Sequence, residues 1–499
     1  MKSVRILAAT RVTALRLAGA TTLLVLAIAM IFRPDPHDER RAAAQLFQQG
    51  SYYAALQIYA RLSVNPADAE AALGLGVLRM VRGEYELAER AMRQAMERGL
   101  SPKHHDLALL YVGQALANRG LIETATRTWN LLEPCGPAED CFYRSQQRLL
   151  VAEQALKRED YAVAEAGYRQ ALVGPLPDPW YDLAIFRLTL LGAARDQATA
   201  LTDLAQLQAQ RPATLPTEPL LDALLPRSVA SLSQLVTVLN GELVSRDQAL
   251  GQIYLDLGFY SLAEAQFAKI DTQGPDALAA RAYAAYTRWL AGDRQGGLEQ
   301  LEQLVTAYPG EPRAHTLLAL AYTAEDQSEA ARTQINAVSQ ISPASPNTRL
   351  AWASWYAAQH DYVRAAEEYR LASEQSSAAD KGRYALLGAN FHFSTAYDLC
   401  TAGLTLAEVA AQALAKDAAA QTSLAAHRYR CGDRAGAAAA ARIALAIAPS
   451  SADAAYYLGA ALAALGDTAQ ARNELVRAAD LAPASLWRAR AEEALALLR

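Results

Sequence analysis

The sequence predicts an all-α solenoid of stacked helix-turn-helix repeats that is preceded by one transmembrane helix. Three observations lead to this prediction. The C-terminal half repeats itself at a constant step, an uncharged run near the N-terminus follows four basic residues, and hydrophobic residues make up 52% of a chain with only 8 Phe. At 499 residues one compact core is unfavourable, whereas the core of a solenoid grows with each added repeat.

The N-terminal stretch, 1–32, carries a membrane signal. A basic tail, 1–16, precedes the uncharged run 17–32, which is predicted to be a transmembrane signal-anchor. The tail contains Lys2, Arg5, Arg11 and Arg16. This positive flank keeps the N-terminus in the cytoplasm, so we expect the repeats outside it, in a periplasmic or extracellular space. The alternative is a signal peptide that is cleaved near Ala29, because Ala27 and Ala29 have the small-x-small pattern of a cleavage site.

Residues 33–173 are predicted to form an N-terminal array of helix pairs. A small residue is followed four positions later by a large one, as in Ala55 with Tyr59 and Ala164 with Tyr168. The spacing varies from one unit to the next, which indicates constant helices and variable loops. Residues 174–245 carry a weaker signal that prolines interrupt, and we interpret them as a degenerate helical junction between two arrays.

Residues 246–485 carry the clearest repeat and are predicted to form a C-terminal array. One phase holds Leu250, Ala284, Leu318 and Trp352, and a second phase holds Ala263, Gly297, Ala331 and Ala365, both at the same constant step. One helix pair cannot bury its own apolar face, so the seven units of this stretch are expected to stack. Residues 486–499 are predicted to form a capping helix. Its outer face would carry Arg488, Arg490, Glu492 and Glu493.

These features resemble the tetratricopeptide repeat (TPR), whose period of about 34 residues equals the step seen here. A first helix of that family has a Leu-Gly-x-x-Tyr pattern, which Leu250, Gly251 and Tyr254 match. Its second helix has an Ala-x-x-x-Phe pattern, which Ala263 and Phe267 match. The resemblance implies a right-handed α-solenoid in which the first helices line a concave groove. It also implies that the partners are proteins or peptides.

Inward positions on these first helices define the candidate binding groove. They are Tyr286, Trp289, Thr323, His392, Phe393, Tyr429, Arg430 and Tyr456. The set is aromatic and lacks the basic cluster with which some family members hold a peptide C-terminus. We therefore expect an extended or helical peptide that docks through aromatic anchors. The alternative is that these rings only pack between repeats.

The four cysteines form two sequence-local pairs, Cys135 with Cys141 and Cys400 with Cys431. The second pair falls at neighbouring ends of antiparallel helices. An even cysteine count in an exported chain favours disulfides, with buried thiols as the alternative. Neither pair has the spacing of a zinc site.

No motif in the sequence indicates catalysis, since phosphate-binding glycine loops, Gly-x-Ser-x-Gly and His-Glu-x-x-His are all absent. We therefore expect no enzyme activity, no cofactor and no metal. The formal net charge of −5 argues against a nucleic-acid partner.

The sequence thus predicts a membrane-anchored, extracytoplasmic scaffold for protein–protein interaction in a bacterial envelope, with its oligomeric state left open. Two alternatives remain at this point. The chain is a non-catalytic accessory or regulatory subunit of an envelope glycan-synthesis or export complex, or it is a secreted enzyme with a polar cluster within 174–245.

Overall fold

A computed structural model describes residues 35–132, 143–211, 218–225, 232–241, 243–270 and 277–498. The predicted basic tail, the predicted anchor 17–32 and the pair Cys135 and Cys141 lie outside these ranges. Within them, every regular element is a helix. No helix in the same ranges is long and apolar enough to cross a bilayer.

The N-terminal array consists of five helix pairs. They are α1 (Pro36–Gln48) with α2 (Tyr52–Leu62), α3 (Ala69–Val81) with α4 (Tyr85–Glu97), α5 (Pro102–Asn118) with α6 (Ile122–Trp129), α7 (Arg144–Lys157) with α8 (Tyr161–Ala171), and α9 (Asp178–Arg195) with α10 (Gln197–Ala209). Several helices begin where the sequence supplies a capping oxygen: Asp68, Ser101, Asp160 and Asp196 accept hydrogen bonds from first-turn amides. Helix boundaries are therefore set locally, within each pair.

The stretch that the sequence indicates as a junction, 174–245, contains more regular structure than expected. It holds the fifth pair, a single turn α11 (Pro219–Asp222), and α12 (Leu232–Leu239), which packs on α9 and α10. One hydrophobic core extends from Ala43 to Ala280 and so passes through this stretch. The sequence signal is weak here because α9 is buried on nearly all sides and lacks a polar face that would reveal its period.

Seven further pairs follow, one for each unit of the C-terminal repeat. They are α13 (Leu243–Asp256) with α14 (Tyr260–Phe267), α15 (Ala277–Leu290) with α16 (Arg294–Ala307), α17 (Pro312–Ala324) with α18 (Ser328–Ile341), α19 (Pro346–Ala358) with α20 (Tyr362–Gln375), α21 (Lys381–Thr395) with α22 (Leu404–Ala413), α23 (Ala418–Arg430) with α24 (Arg434–Ile447), and α25 (Ala452–Ala464) with α26 (Thr468–Leu481). A π-helical turn, Leu399–Gly403, leads into α22. A last helix, α27 (Leu486–Leu497), follows alone.

Glycines in the first helices allow the helices of a pair to approach closely. A β-carbon on Gly251 would lie 2.7 Å from the ring of Phe267, and one on Gly113 would overlap the indole of Trp129. Neither position leaves room for a side chain. In these two pairs the large residue of the second helix therefore packs directly on the backbone of the first helix, which is the physical basis of the small-and-large pattern there.

The last helices pack on the first ones, so the array closes into a ring. The amide of Tyr53 in α2 donates a hydrogen bond to Oδ1 of Asp480 in α26 at 2.7 Å, and the Tyr53 ring packs on the core of the C-terminal repeats. Beside this contact, Arg82 pairs with Glu492 of α27 at 2.7 Å. A contact between residues so far apart in sequence does not follow from local repeat stacking.

The closure corrects the prediction for the capping helix. Helix α27 forms as expected, but Arg488 and Glu492 do not belong to an outer face. Arg488 Nη1 lies 2.8 Å from Oε1 of Glu84, across the closure, while Glu492 pairs with the buried Arg82. The guanidinium of Arg490 lies 5.0 Å from the ring centroid of Trp487, and only Glu493 of the four charges is exposed. The helix ends the array by contacting the first repeats.

Candidate functional site

The structure brings four of the eight predicted groove residues together. Phe393 in α21, Tyr429 and Arg430 in α23, and Tyr456 in α25 come from the first helices of three successive repeats. Their rings are connected through Tyr457 and Trp487. The centroid distances are 6.5 Å for Phe393 to Tyr457, 6.0 Å for Tyr429 to Tyr457, and 5.5 Å for Tyr456 to Trp487. We call Phe393, Tyr429, Tyr456, Tyr457 and Trp487 the aromatic surface.

Three arginines lie against these rings. Guanidinium carbons stand 5.6 Å from the Phe393 centroid for Arg430, 4.2 Å from that of Tyr429 for Arg434, and 5.0 Å from that of Trp487 for Arg490. Such cation–π contacts hold both partners in place. All rings except that of Tyr457 remain partly exposed, and Arg430 is exposed. The surface therefore offers both apolar faces and positive charge.

The hydroxyl groups of Tyr456 and Tyr457 stay protonated at neutral pH. Burial raises the pKa of Tyr457 to about 12 and also raises the pKa of Tyr456. Both are neutral hydroxyl groups that donate and accept hydrogen bonds. A ligand would thus meet aromatic faces, neutral hydroxyls and guanidinium groups side by side.

Trp289 is packed between repeats and is only 4% exposed. It stacks on Tyr286 with centroids 5.3 Å apart and donates from Nε1 to Glu325 at 3.1 Å. The guanidinium carbon of Arg294 lies 4.0 Å from the centroid of the Trp289 ring. Trp289 is therefore held by its own array and does not present its ring to a ligand, whereas Tyr286 stays partly exposed.

Thr323 lies in α17, outside the three repeats that form the aromatic surface, and His392 faces the core. The hydroxyl of Thr323 donates to the carbonyl of Ala319 in its own helix at 2.8 Å. His392 is fully buried, and its Nδ1 donates to the carbonyl of Tyr397 at 2.6 Å. For His392 the reason is the helix geometry, because one residue along a helix turns the side chain by about 100°. Phe393 faces the surface and His392, its neighbour, faces the core.

Two residues of the aromatic surface were not predicted from the sequence. Trp487 lies in the helix that the sequence indicates as a cap, and Tyr457 is adjacent to a predicted groove position. The available signal was the aromatic pair Tyr456 and Tyr457 on a first helix, together with Trp487 and Arg490 three positions apart.

A disulfide joins Cys400 and Cys431, with a Cα–Cα distance of 5.4 Å. It connects the π-helical turn before α22 with the residue that directly follows α23. Tyr429 and Arg430 form the last positions of α23, next to Cys431. The bridge therefore anchors the helix end that contributes these two residues to the aromatic surface.

A second concave region lies within the N-terminal array. It is a cavity of about 1390 Å³ at the ends of the first helices, and its lining includes Phe47, Tyr85, Arg187 and Phe259. Residues 481–485, from the last residue of α26 to the residue before α27, line it as well. The ring closure therefore covers one side of the cavity.

The two most buried charges of this cavity, Arg187 and Glu153, pair with each other. Arg187 donates to both carboxylate oxygens of Glu153, at 2.9 Å and 3.2 Å, and Tyr168 donates to the same carboxylate at 2.5 Å. Burial acts to lower the pKa of Arg187, but the charge and hydrogen bonds of Glu153 raise it overall. Burial likewise raises the pKa of Tyr168. The cluster is a neutralised ion pair that holds α7 and α9 together.

No family model and no curated protein matches the chain. Among solved structures it is similar to YrrB, a TPR protein with an unusual peptide-binding site, at 14% identity and a TM-score of 0.33, over 39% of this chain and 99% of that chain. It is also similar to the APC/C hetero-tetramer Cut9–Hcn1, at 14% identity and a TM-score of 0.35, over 95% and 92%. A third similar structure is yeast Tom70, at 13% identity and a TM-score of 0.38, over 93% and 95%.

Proposed function

We propose that this chain is a membrane-anchored, extracytoplasmic scaffold that binds a protein or peptide partner through the aromatic surface. One observation carries the proposal: partly exposed rings from three successive repeats and from α27 form one connected patch with arginines stacked on them. Aromatic and arginine side chains are the types that dominate binding energy at protein interfaces. Rigidly held rings also lose little conformational entropy when a partner binds.

The same geometry favours a particular kind of partner segment. Ring faces bind apolar, aromatic or proline side chains, whereas the exposed Arg430 supplies a donor for a carboxylate. A segment with an apolar residue close to an acidic one satisfies both features. The hydroxyl group of the partly exposed Tyr456 adds a neutral hydrogen-bonding group to the same surface.

Tyr456→Ala is expected to weaken partner binding by about thirtyfold, because a buried aromatic anchor contributes about 2 kcal/mol. The partner is first identified by placing a photoreactive amino acid at 456 in the membrane-bound chain. Its affinity for purified wild-type and variant chains is then measured by titration calorimetry.

Tyr308→Ala is the matched control, because Tyr308 is 42% exposed and lies at the end of α16, away from the aromatic surface. It should leave the affinity unchanged. If the wild type and Tyr456→Ala bind the partner with equal affinity and melt alike, the aromatic surface is not the binding site.

The extracytoplasmic location is supported by the basic flank before 17–32 and by the disulfide, since disulfides persist in oxidising compartments. A reporter that is active only outside the cytoplasm, fused after Arg499, should be active and sediment with membranes. The same fusion without residues 1–32 should be inactive. Activity in the soluble exported fraction would instead mean cleavage near Ala29.

A further inference from the structure

Residues 218–225 pack against the first helices of the N-terminal array, and residues 222–225 line its concave region. Lys103 of α5 pairs with Glu218 at 2.7 Å, and the hydroxyl of Tyr143, just before α7, donates to the same carboxylate at 2.8 Å. The hydroxyl of Tyr111 in α5 donates to the carbonyl of Leu220.

Trp180 completes this set, because its Nε1 in α9 donates to Oδ1 of Asp222 at 3.1 Å. The groups that hold the segment thus come from the first helices of three successive repeats, α5, α7 and α9, or from the residue before them. They recognise two carboxylates and one backbone carbonyl. Polar recognition along successive repeats is how a concave solenoid surface holds an extended chain.

Two leucines of the segment supply its apolar anchors. Leu221 is 1% exposed and Leu224 is 5% exposed, and both belong to the core of the N-terminal repeats. The segment itself contains only the four-residue turn α11. Because such a turn does not hold itself together, the groove contacts determine its position.

We propose that this concave region is a second peptide-binding site, for a leucine-rich acidic segment of a partner protein, and that residues 218–225 occupy it in cis. The partner segment carries a carboxylate at the position of Glu218 and another at that of Asp222. It carries apolar residues at the positions of Leu221 and Leu224. This site is independent of the aromatic surface and of the function proposed for it.

The cavity beside the segment has room for a ligand longer than the cis segment. It is about 1390 Å³, above the range of about 300 to 1000 Å³ that is usual for small-molecule pockets, and residues 222–225 form part of its wall. Arg187 and Gln114 also line it. Within the described part of the chain, the Arg187 Nη1 and the Gln114 Oε1 are buried without hydrogen-bond partners. A donor and an acceptor are thus left for a longer ligand.

The cis segment competes with any ligand in trans, since a tethered segment has an effective concentration in the millimolar range. The wild-type chain should therefore bind a free copy of the segment weakly. A change that removes the cis segment from the groove, and leaves the groove residues untouched, should expose the site.

The probe is a labelled octapeptide with the sequence of residues 218–225, Glu-Pro-Leu-Leu-Asp-Ala-Leu-Leu. The full chain carrying Leu221→Asp and Leu224→Asp should bind it at least tenfold more tightly than the wild type, as measured by fluorescence anisotropy. An octapeptide in which the leucines that correspond to Leu221 and Leu224 are replaced by Asp should bind neither chain. In the double-variant background, Tyr111→Phe should weaken binding about fivefold, because it removes one donor from the groove.

Tyr254→Phe is the matched control, since this equally buried hydroxyl donates to the carbonyl of Leu190 at 2.7 Å and lies outside the groove. It should leave octapeptide binding unchanged. A double variant that keeps its melting transition but does not bind the octapeptide overturns the proposal. So does a double variant that fails to fold, because 218–225 is then an inseparable part of the core.

Hydrogen exchange of the unaltered wild-type chain provides a second measurement. The amide of Leu221 donates to the carbonyl of Glu218 at 2.8 Å, so its exchange reports opening of the segment. It should exchange at least a hundredfold faster than the core amides of α9, because the segment leaves the groove without unfolding of the array. Equal protection of the segment and of α9 would show that they open only together, and would overturn the proposal.

Discussion

Replacing Cys400 by Ser is expected to lower the free energy of unfolding of the C-terminal repeats by about 3 to 4 kcal/mol. The bridge to Cys431 closes a loop with a sequence separation of 31, and the chain-entropy estimate for such a loop gives this magnitude. Chemical denaturation of the non-reduced protein, followed by circular dichroism, provides the measurement. Cys431→Ser should have the same effect, because either change removes the same bridge.

The cysteines at 135 and 141 make a simple reductant experiment ambiguous, so the control is a comparison of variants. Reductant should lower the denaturation midpoint of the wild type. In Cys400→Ser combined with Cys431→Ser, the part of this shift that comes from the bridge should be absent. A double variant with the midpoint of the wild type would show that the bridge does not stabilise these repeats. Loss of the bridge should also weaken partner binding, because Tyr429 and Arg430 lie at the helix end that it anchors.

Arg82→Glu is expected to open the ring. The change places a carboxylate beside Glu492 and Glu84, which now pair with Arg82 at 2.7 Å and 3.1 Å. Breaking a buried ion pair costs about 3 to 5 kcal/mol. The two glutamates are 29% and 26% exposed, so screening by solvent reduces the expected cost to about 2 to 3 kcal/mol. Small-angle scattering should show a larger radius of gyration, because the first and last repeats separate.

Arg82→Glu combined with Glu492→Arg restores a pair of opposite charges and should return the scattering curve toward that of the wild type. Measuring the scattering at several pH values provides a second test of the same closure. Burial raises the pKa of Asp480 to about 6 from its ordinary value of 3.8, although the Tyr53 amide and Arg82 both act to lower it.

The Asp480 carboxyl group thus binds a proton more tightly in the closed ring than in the open chain. Closure should therefore strengthen as the pH falls from about 6 toward 3.8. Closure weakens as the pH rises through about 6. Asp480→Asn keeps the acceptor for Tyr53 and should remove this dependence. A scattering curve of Arg82→Glu that is identical to that of the wild type at every pH would show that these charges do not hold the ring closed.

The helix pairs are predictable from sequence because their contacts are local. Gly251 and Phe267 meet within one unit, so the pattern of small and large residues reports the packing directly. The same holds for Cys400 and Cys431, whose proximity follows from the antiparallel order of neighbouring helices. The fold was therefore predictable wherever a contact stays within one repeat or reaches only the next.

The ring closure and the orientation of the groove side chains could not be predicted, because no local sequence pattern reports them. Arg82 and Glu492 are 410 residues apart, and no periodicity connects them. Trp289 and His392 lie on first helices, as expected, but a rotation of about 100° per residue decides whether a side chain faces a groove or a neighbouring helix. That rotation depends on how each repeat packs, so half of the candidate groove could be assigned only from the structure.

The closing contact also sets an order of folding events. Tyr53 and Asp480 are separated by 427 residues, whereas each helix pair joins residues within a single repeat. The entropy lost in closing a loop grows with its length, so contacts within repeats form before those that join the two ends. The ring therefore closes after the repeats have stacked, and unfolding should begin by releasing the same contact. Changes at Arg82 should then accelerate opening while the folding rate of the individual repeats stays the same.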